Sequence, residues 1–315
     1  MNIFLIFSFI SSICLTNFAI LKLTPWMRGA FLDIPNSRSS HIKTKPKSGG
    51  LFFIFFIFLT NLFVNFIYGL DKLSVAIYFA TLISIIGLID DLILLPANIR
   101  YVFQYIFSTL LVFISSEFFF TFSNFKIILF LSFIGTAIIN LFNFMDGIDG
   151  LLIGCSIVVI GFSLLNTFDF QILILLGSLI AFTKWNWEPS KIFMGDCGSY
   201  FLGSLTFFLI LRDENSYLDY KILCIIAPLI MDTSSCLIRR LLNKENIFKA
   251  HSKHLYQRLY KGGLSHSKVS LIYIGSTLVN ATLIHFAKTN ILICFLFLEL
   301  ICGIYLDKFK AEKFC

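Results

Sequence analysis

An all-α integral membrane protein is the fold class this sequence predicts, and three observations carry the expectation. Of the 315 residues, 57% are hydrophobic and only 14% charged. With a mean hydropathy of +0.87, that is more apolar than a soluble core of this size requires. The apolar residues, 39 Phe among them with only 6 Pro, form long runs rather than alternating strands, which suits helices crossing about 30 Å of hydrocarbon.

Breaking these runs at charged, Gly-bearing or Pro-bearing stretches predicts about eleven transmembrane helices, near 2–24, 49–70, 73–89, 101–121, 127–145, 151–167, 170–184, 198–211, 221–238, 269–287 and 290–306. The first run lacks the basic start and small-residue cleavage site of a secretory signal, and at about 20 residues it is long enough to span. Eight cysteines are scattered without a paired Cys-x-x-Cys spacing, so they read as small helix residues rather than disulfides or a zinc site. The chain reads as one polytopic domain without an internal repeat.

An N-terminus outside and a C-terminus in the cytoplasm follow from the alternation of spans and from charge. Five Lys or Arg (Lys72, Lys126, Arg212, Lys221, Lys288) fall in outer connections and two (Lys22, Lys268) at membrane edges, leaving 18 of the 25 inside. That asymmetry obeys the positive-inside rule. It also accounts for the net charge of +7 through short loops, so nucleic-acid binding is not supported.

The same parity puts the least bilayer-compatible clusters on the cytoplasmic side, which predicts an active site built from cytoplasmic loops. Gly87-Leu88-Ile89-Asp90-Asp91 ends the third run. It reads either as a solvated helix stop or as a carboxylate pair needing a cation or basic group nearby. In Asn140-Leu-Phe-Asn143-Phe-Met-Asp146-Gly-Ile-Asp149-Gly150 the amides and carboxylates recur every three residues and form one polar stripe if helical. Polar contacts between helices are the competing reading.

Asn186 opens a further segment in which Phe193-Met-Gly195-Asp196-Cys-Gly198 sets one carboxylate between glycines before an apolar run, a place suited to a hard cation. Phe193 serves either as a stacking surface for a base or as an interfacial anchor. Arg239-Arg240 then precede the longest inner loop, with Lys244, Lys249, His251, Lys253, His254 and Arg258. The lysines fit topology alone, whereas His251 and His254 beside the arginine pair suit phosphate oxygens. Carboxylates for Mg²⁺ and cations for phosphate beside a membrane describe phosphoryl transfer to or from a lipid.

These motifs resemble the polyprenyl-phosphate N-acetylhexosamine-1-phosphate transferase superfamily, also called glycosyltransferase family 4. The resemblance rests on Gly87 to Asp91, Asn140 to Leu151 (NLFNFMDGIDGL), Phe193 to Gly203 (FMGDCGSYFLG), His251 to Leu259 (HSKHLYQRL), and Asp33 to His41 with Pro46 to Gly50. The Arg38-Ser-Ser-His41 and His251-to-Leu259 segments are similar to the branch that starts O-antigen-like surface polysaccharides. The peptidoglycan branch, which usually carries a triple histidine, is the alternative.

The resemblance implies a membrane enzyme of the bacterial inner membrane that moves N-acetylhexosamine-1-phosphate from a UDP-sugar to undecaprenyl phosphate and releases UMP. It implies Mg²⁺, with Mn²⁺ as a substitute, and allows a homodimer. By position it makes Asp196 the metal ligand and Asp90 with Asp91 the pair at the lipid phosphate. It makes Asp149 and Phe193 uridine contacts, Asn143, Asp146 and Asn186 further nucleotide-sugar contacts, and His251 with His254 phosphate-binding groups. A membrane prenyltransferase is a rival, but Asp90-Asp91 lacks the repeated carboxylates its motifs use. A secondary transporter would place its carboxylates near the bilayer midplane.

Overall fold

The computed structural model describes residues 3–35, 43–115, 122–212, 218–247, 249, 251–287 and 289–314. Arg38 to His41, Lys288 and Cys315 lie outside the described residues. The chain runs α1 (Ile3–Ala30), β1 (Leu32–Asp33), β2 (Lys45–Pro46), α2 (Gly50–Tyr68), α3 (Lys72–Ile93), α4 (Ala97–Ser115), α5 (Phe122–Phe144), α6 (Leu151–Thr167), α7 (Phe170–Asn186), α8 (Gly195–Ile210), α9 (Tyr220–Ile225), α10 (Ala227–Leu242), α11 (Leu255–Lys261), α12 (His266–Phe286) and α13 (Thr289–Phe309). The two short strands pair antiparallel, Leu32 opposite Pro46.

Among the described residues each predicted run overlaps a helix. Seven helices among the described residues, α1 to α5, α12 and α13, are long and apolar enough to cross a bilayer, and α6 and α7 are shorter apolar helices. The ninth run is interrupted at Ile226, where α9 gives way to α10 with Pro228 in its first turn. A proline is tolerated there because the first amides of a helix have no intrahelical acceptor.

Helix α8 is the centre of the bundle. All its residues from Cys197 to Ile210 are buried, chiefly against α3 and α5. Sixteen residues reach only about 24 Å at 1.5 Å per residue, short of the hydrocarbon thickness, which a helix enclosed by its neighbours need not match. The surface is inverted relative to a soluble protein. Phe66, Phe130, Phe133, Phe297 and Ile304 are exposed, an arrangement that requires lipid.

The α3–α8 crossing is tight because Gly87 lies at it. A Cβ there would come 2.5 Å from the Asp196 carbonyl oxygen. The site described next depends on this approach, which brings the carboxylates at the end of α3 beside the start of α8.

Candidate active site

Asp90 and Asp91 are both buried, and their side chains diverge. Asp90 accepts the Leu95 N–H at 2.6 Å and an Arg100 Nη1–H at 3.0 Å. Asp91 accepts the Ser48 hydroxyl at 2.7 Å, lies 3.8 Å from Lys47 Nζ, and receives the backbone N–H groups of Asp196 at 3.2 Å and Cys197 at 3.5 Å. It thus caps the amino end of α8, where unpaired amides and the helix dipole favour negative charge. Arg100 and Lys47 are the nearby cations that the adjacent carboxylates called for, and the sequence reading named neither.

Gly195 takes φ +77°, a left-handed turn that glycine adopts without a Cβ clash. A Cβ there would stand 2.5 Å from Asp91 Oδ2. The turn presents Asp196 with 30% of its side chain exposed, against 4% for Asp90 and 5% for Asp91, and its Oδ2 lies 3.9 Å from Arg100. Asn143 Nδ2 donates to Asp196 Oδ1 at 2.9 Å and to Ser199 Oγ at 3.2 Å.

The polar stripe divides. Asn140 turns to Gln104 on α4 and to the Thr136 carbonyl, which is helix packing. Asp146 stands over the cluster. Burial, with Asp91 and Asp149 nearby, pushes its carboxyl well above the usual range, opposed by the Gly195 amide. Four carboxylates (Asp90, Asp91, Asp146, Asp196) therefore meet two close cations, Arg100 and Lys47. The hard oxygen donors and this negative surplus fit a divalent cation such as Mg²⁺.

Asp149, buried, accepts the Ser190 N–H at 3.0 Å and the Ser190 hydroxyl at 2.7 Å. Lys45 Nζ lies 3.7 Å and His266 Nδ1 3.5 Å from the same carboxylate. Burial would raise Asp149, but the His266 and Ser190 hydrogen bonds and the Lys45 charge outweigh it and bring the carboxyl down to about 2. Lys45 also donates to Ser190 Oγ at 2.8 Å and sits 4.9 Å from the Phe193 ring centre. Backbone bonds fix that ring's position, Phe193 N–H to the Pro46 carbonyl and Gly49 N–H to the Phe193 carbonyl. Asn186 is buried, its carboxamide engaged by Gly150 N–H at 3.3 Å and the Ile192 carbonyl at 3.1 Å. It braces the loop rather than facing open space.

The histidine segment docks on the same end of the bundle. Tyr256 donates to the Phe144 carbonyl at 2.8 Å, and Gly147 leaves room for its ring. Asp232 of α10 caps α11, accepting the Leu255 and Tyr256 N–H groups at 2.7 and 3.0 Å and the Tyr273 hydroxyl at 2.6 Å. His254, buried, lies 3.5 Å from Asp232 and 5.0 Å ring to ring from half-buried His251. Burial would lower His254, yet Asp232 and Cys236 raise it to about 9. Burial, with the charges of His254 and Arg240 beside it, lowers His251 to about 4. At neutral pH the pair is one cation and one neutral imidazole.

Arg239 and Arg240, the candidate substrate-binding pair, are both engaged by partners within the protein. Arg240 is buried and gives its N–H groups to Glu245 and to the carbonyls of Asn246, Ile247 and Lys249. Arg239 pairs with Asp307 at 2.6 Å and stacks on Phe314. A buried guanidinium has five donors to satisfy, and Arg240 commits four hydrogen bonds to its own loop.

The glycosyl transferase family 4 model matches residues 73–213. The chain is 29% identical to the "Probable undecaprenyl-phosphate N-acetylglucosaminyl 1-phosphate transferase" of Bacillus subtilis, covering 89% of this chain and 86% of that one. It is 29% identical to the "Undecaprenyl-phosphate alpha-N-acetylglucosaminyl 1-phosphate transferase" of Thermotoga maritima, over 79% of each. It is 28% identical to the "Phospho-N-acetylmuramoyl-pentapeptide-transferase" of Staphylococcus haemolyticus, over 68% and 77%.

The chain is similar to glycosyl transferase family 4 over those residues and to polyprenyl-phosphate sugar-1-phosphate transferases over most of its length. It is a multi-pass membrane transferase. The matched stretch takes in the Asp90-Asp91, Asn143-to-Asp149 and Phe193-to-Asp196 motifs, while the histidine segment and the Lys45-to-Gly50 connection lie outside it. The Lys45-to-Gly50 connection reaches the carboxylates, Lys47 and Ser48 at Asp91 and Lys45 at Asp149, while the histidine segment docks beside them through Tyr256 and the Phe144 carbonyl. The site residues that the sequence did not mark are Lys45, Lys47, Ser48, Arg100, Ser190 and His266, all basic or hydroxyl side chains whose types are common in polar loops.

Proposed function

We propose that this chain transfers N-acetylhexosamine-1-phosphate from a UDP-sugar to undecaprenyl phosphate, releasing UMP, and so starts an O-antigen-like lipid-linked polysaccharide at the cytoplasmic face of a bacterial inner membrane. The observation that carries the reading is the meeting of the Asp196–Asn143–Asp91 cluster, the Phe193–Lys45 platform and the His251–His254 pair at one end of an apolar bundle. The printed names of the Bacillus and Thermotoga relatives support it. His251-Ser-Lys-His254 in place of three successive histidines favours this branch over the peptidoglycan one.

In this reading an oxygen of the lipid phosphate attacks the sugar-linked phosphorus, the bond between the two donor phosphates breaks, and UMP leaves with the bridging oxygen. A lipid phosphate is largely ionised at neutral pH, so its pKa does not demand an obligate base. Asp196, the exposed carboxylate, with Asp146 and Asp90 would hold Mg²⁺, or Mn²⁺ in its place. Bound there, the ion supplies charge neutralisation for the diphosphate.

The remaining work falls to the chain's own residues. Arg100 and Lys47 neutralise and fix Asp90 and Asp91 beside the lipid phosphate. Asn143 orients Asp196. Phe193 stacks on the uracil, while Asp149 holds Lys45 and Ser190 against that ring. Asn186 braces the loop, and His254, cationic against Asp232, sets His251 toward the phosphates. Eleven crossings with the N-terminus outside complete the proposal, supported by the 18 inner Lys and Arg residues. The test is purified protein supplied with undecaprenyl phosphate, Mg²⁺ and a panel of UDP-sugars. UMP release with an N-acetylhexosamine donor is expected. UMP release only with the muramoyl-pentapeptide donor would instead assign the peptidoglycan reaction.

A further inference from the structure

Among the described residues, one group of three metal-ligating side chains has all its ligand atoms within 4.8 Å of one another: Cys236, His251 and His254. It stands apart from the carboxylate cluster and differs from it in kind, offering sulfur and nitrogen where that cluster offers oxygen. Cys236 follows Asp232 by one turn of α10, which points both toward the start of α11. Cys236 and His254 are 2% and 3% exposed, while His251 is half-buried on the loop between α10 and α11.

A second observation comes from His254 itself. Its Nδ1 is enclosed and faces its charge partner, the Asp232 carboxylate, at 3.5 Å, too long for a full hydrogen bond, because that carboxylate is committed to the Leu255, Tyr256 and Tyr273 donors. A buried imidazole nitrogen left this way costs free energy. Beside it lie a thiol and a second imidazole.

We propose that Cys236, His251 and His254 form a binding site for a soft divalent cation of the Zn²⁺ class, and that its occupation inhibits phosphotransfer. A thiolate with two imidazoles selects Zn²⁺ over Mg²⁺, which prefers oxygen. As the metal binds, the Cys236 thiol and the His254 imidazolium each release one proton to solvent, and the charges of Arg240 and Lys253, which bear on His251, help offset the new thiolate. Tetrahedral Zn²⁺ sets its ligand atoms about 3.3 to 3.8 Å apart, so the group must contract by about 1 Å. His251, on its loop, is the member free to move. The inhibitory half rests on the function proposed above, since the metal would withdraw both histidines from the phosphates. The binding half does not.

The test uses the full-length protein, reduced and purified in detergent. Titration with Co²⁺ is expected to produce a thiolate-to-cobalt charge-transfer absorption that Zn²⁺ displaces. Cys236→Ser and Cys236→Ala should lack it, and His251→Ala should weaken it. In parallel, micromolar Zn²⁺ at saturating Mg²⁺ should slow UMP release by the unmodified chain. Cys236→Ser should need at least about tenfold more Zn²⁺ for the same effect, with an unchanged rate in its absence. No thiolate band in the unmodified protein, or an undiminished band in both Cys236 variants, overturns the site. A band without Zn²⁺ inhibition overturns the inhibitory role and leaves the site standing. Should the protein release no UMP under any condition, the band still decides the site while the proposed function fails.

Discussion

Asp91 caps the amino end of α8, accepting the Asp196 backbone N–H at 3.2 Å, so the two acidic motifs, 105 residues apart, are one structural unit. The contact separates their roles. Asp91 is enclosed and holds a helix end together, whereas the Asp196 carboxylate emerges from that helix partly exposed.

Substitutions at the two positions should therefore differ. Asp196→Asn is expected to lower turnover at least about 100-fold while the melting temperature in detergent stays near that of the unmodified protein. Asp91→Ala should lower turnover and also cost about 1 to 3 kcal/mol, since it leaves the Ser48 hydroxyl and the α8 amides without their acceptor. Steady-state UMP release paired with thermal melts separates the two. A full-rate Asp196→Asn enzyme at saturating Mg²⁺ would remove Asp196 from the chemistry.

Phe193 touches the site through a ring held by backbone bonds on both sides, so its loss should not unseat the loop. Phe193→Ala is expected to raise KM for the UDP-sugar about 10-fold or more, matching loss of about 1 to 3 kcal/mol of stacking, with a smaller change in kcat. Phe193→Tyr should retain most of the affinity. Equal KM values across the three proteins would return Phe193 to an anchoring role.

The histidine pair and its cap make a contrasting prediction. His251→Ala should reduce catalytic efficiency about 10- to 100-fold, the loss of one charge-assisted contact at about 1.5 to 3 kcal/mol, with little change in melting temperature. Asp232→Ala should reduce both, because it unpairs two α11 amides, the Tyr273 hydroxyl and His254. A large fall in the His251→Ala melting temperature would make that residue structural.

His254 also sets a pH window. Its folded value of about 9 lies above its ordinary 6.5, so its pairing with Asp232 stabilises the fold fully below pH 6.5. That contribution should fade as pH rises through about 9. Melting temperatures across this interval are expected to fall for the unmodified protein and to fall less for His254→Gln. Parallel curves would show that another group governs the alkaline loss.

The acidic residues were legible in the sequence because charge is rare in so apolar a chain. Asp90, Asp91, Asn143, Asp146, Asp149 and Asp196 had no packing reason to sit where they do, and the structure gathers them. Their partners were not legible. Lys45, Lys47 and Arg100 lie in or beside short polar connections where membrane topology alone would account for a basic residue, so nothing local marked them. Helix α11 was missed because its cap comes from Asp232, 23 residues upstream of Leu255, rather than from a neighbouring Ser or Asp. The partners of Arg239 and Arg240 were equally hidden. Adjacent residues on a helix diverge by about 100°, and each finds its own partner, one in the loop and one in Asp307.

The central claim is that the phosphate travels with the sugar. Purified protein should be given undecaprenyl phosphate and a UDP-N-acetylhexosamine labelled in the phosphate next to the sugar. The account predicts that the label passes into the lipid phase at the rate UMP appears, and that neither occurs with Asp196→Asn. Release of labelled UDP into the aqueous phase, with unlabelled sugar on the lipid, would contradict it.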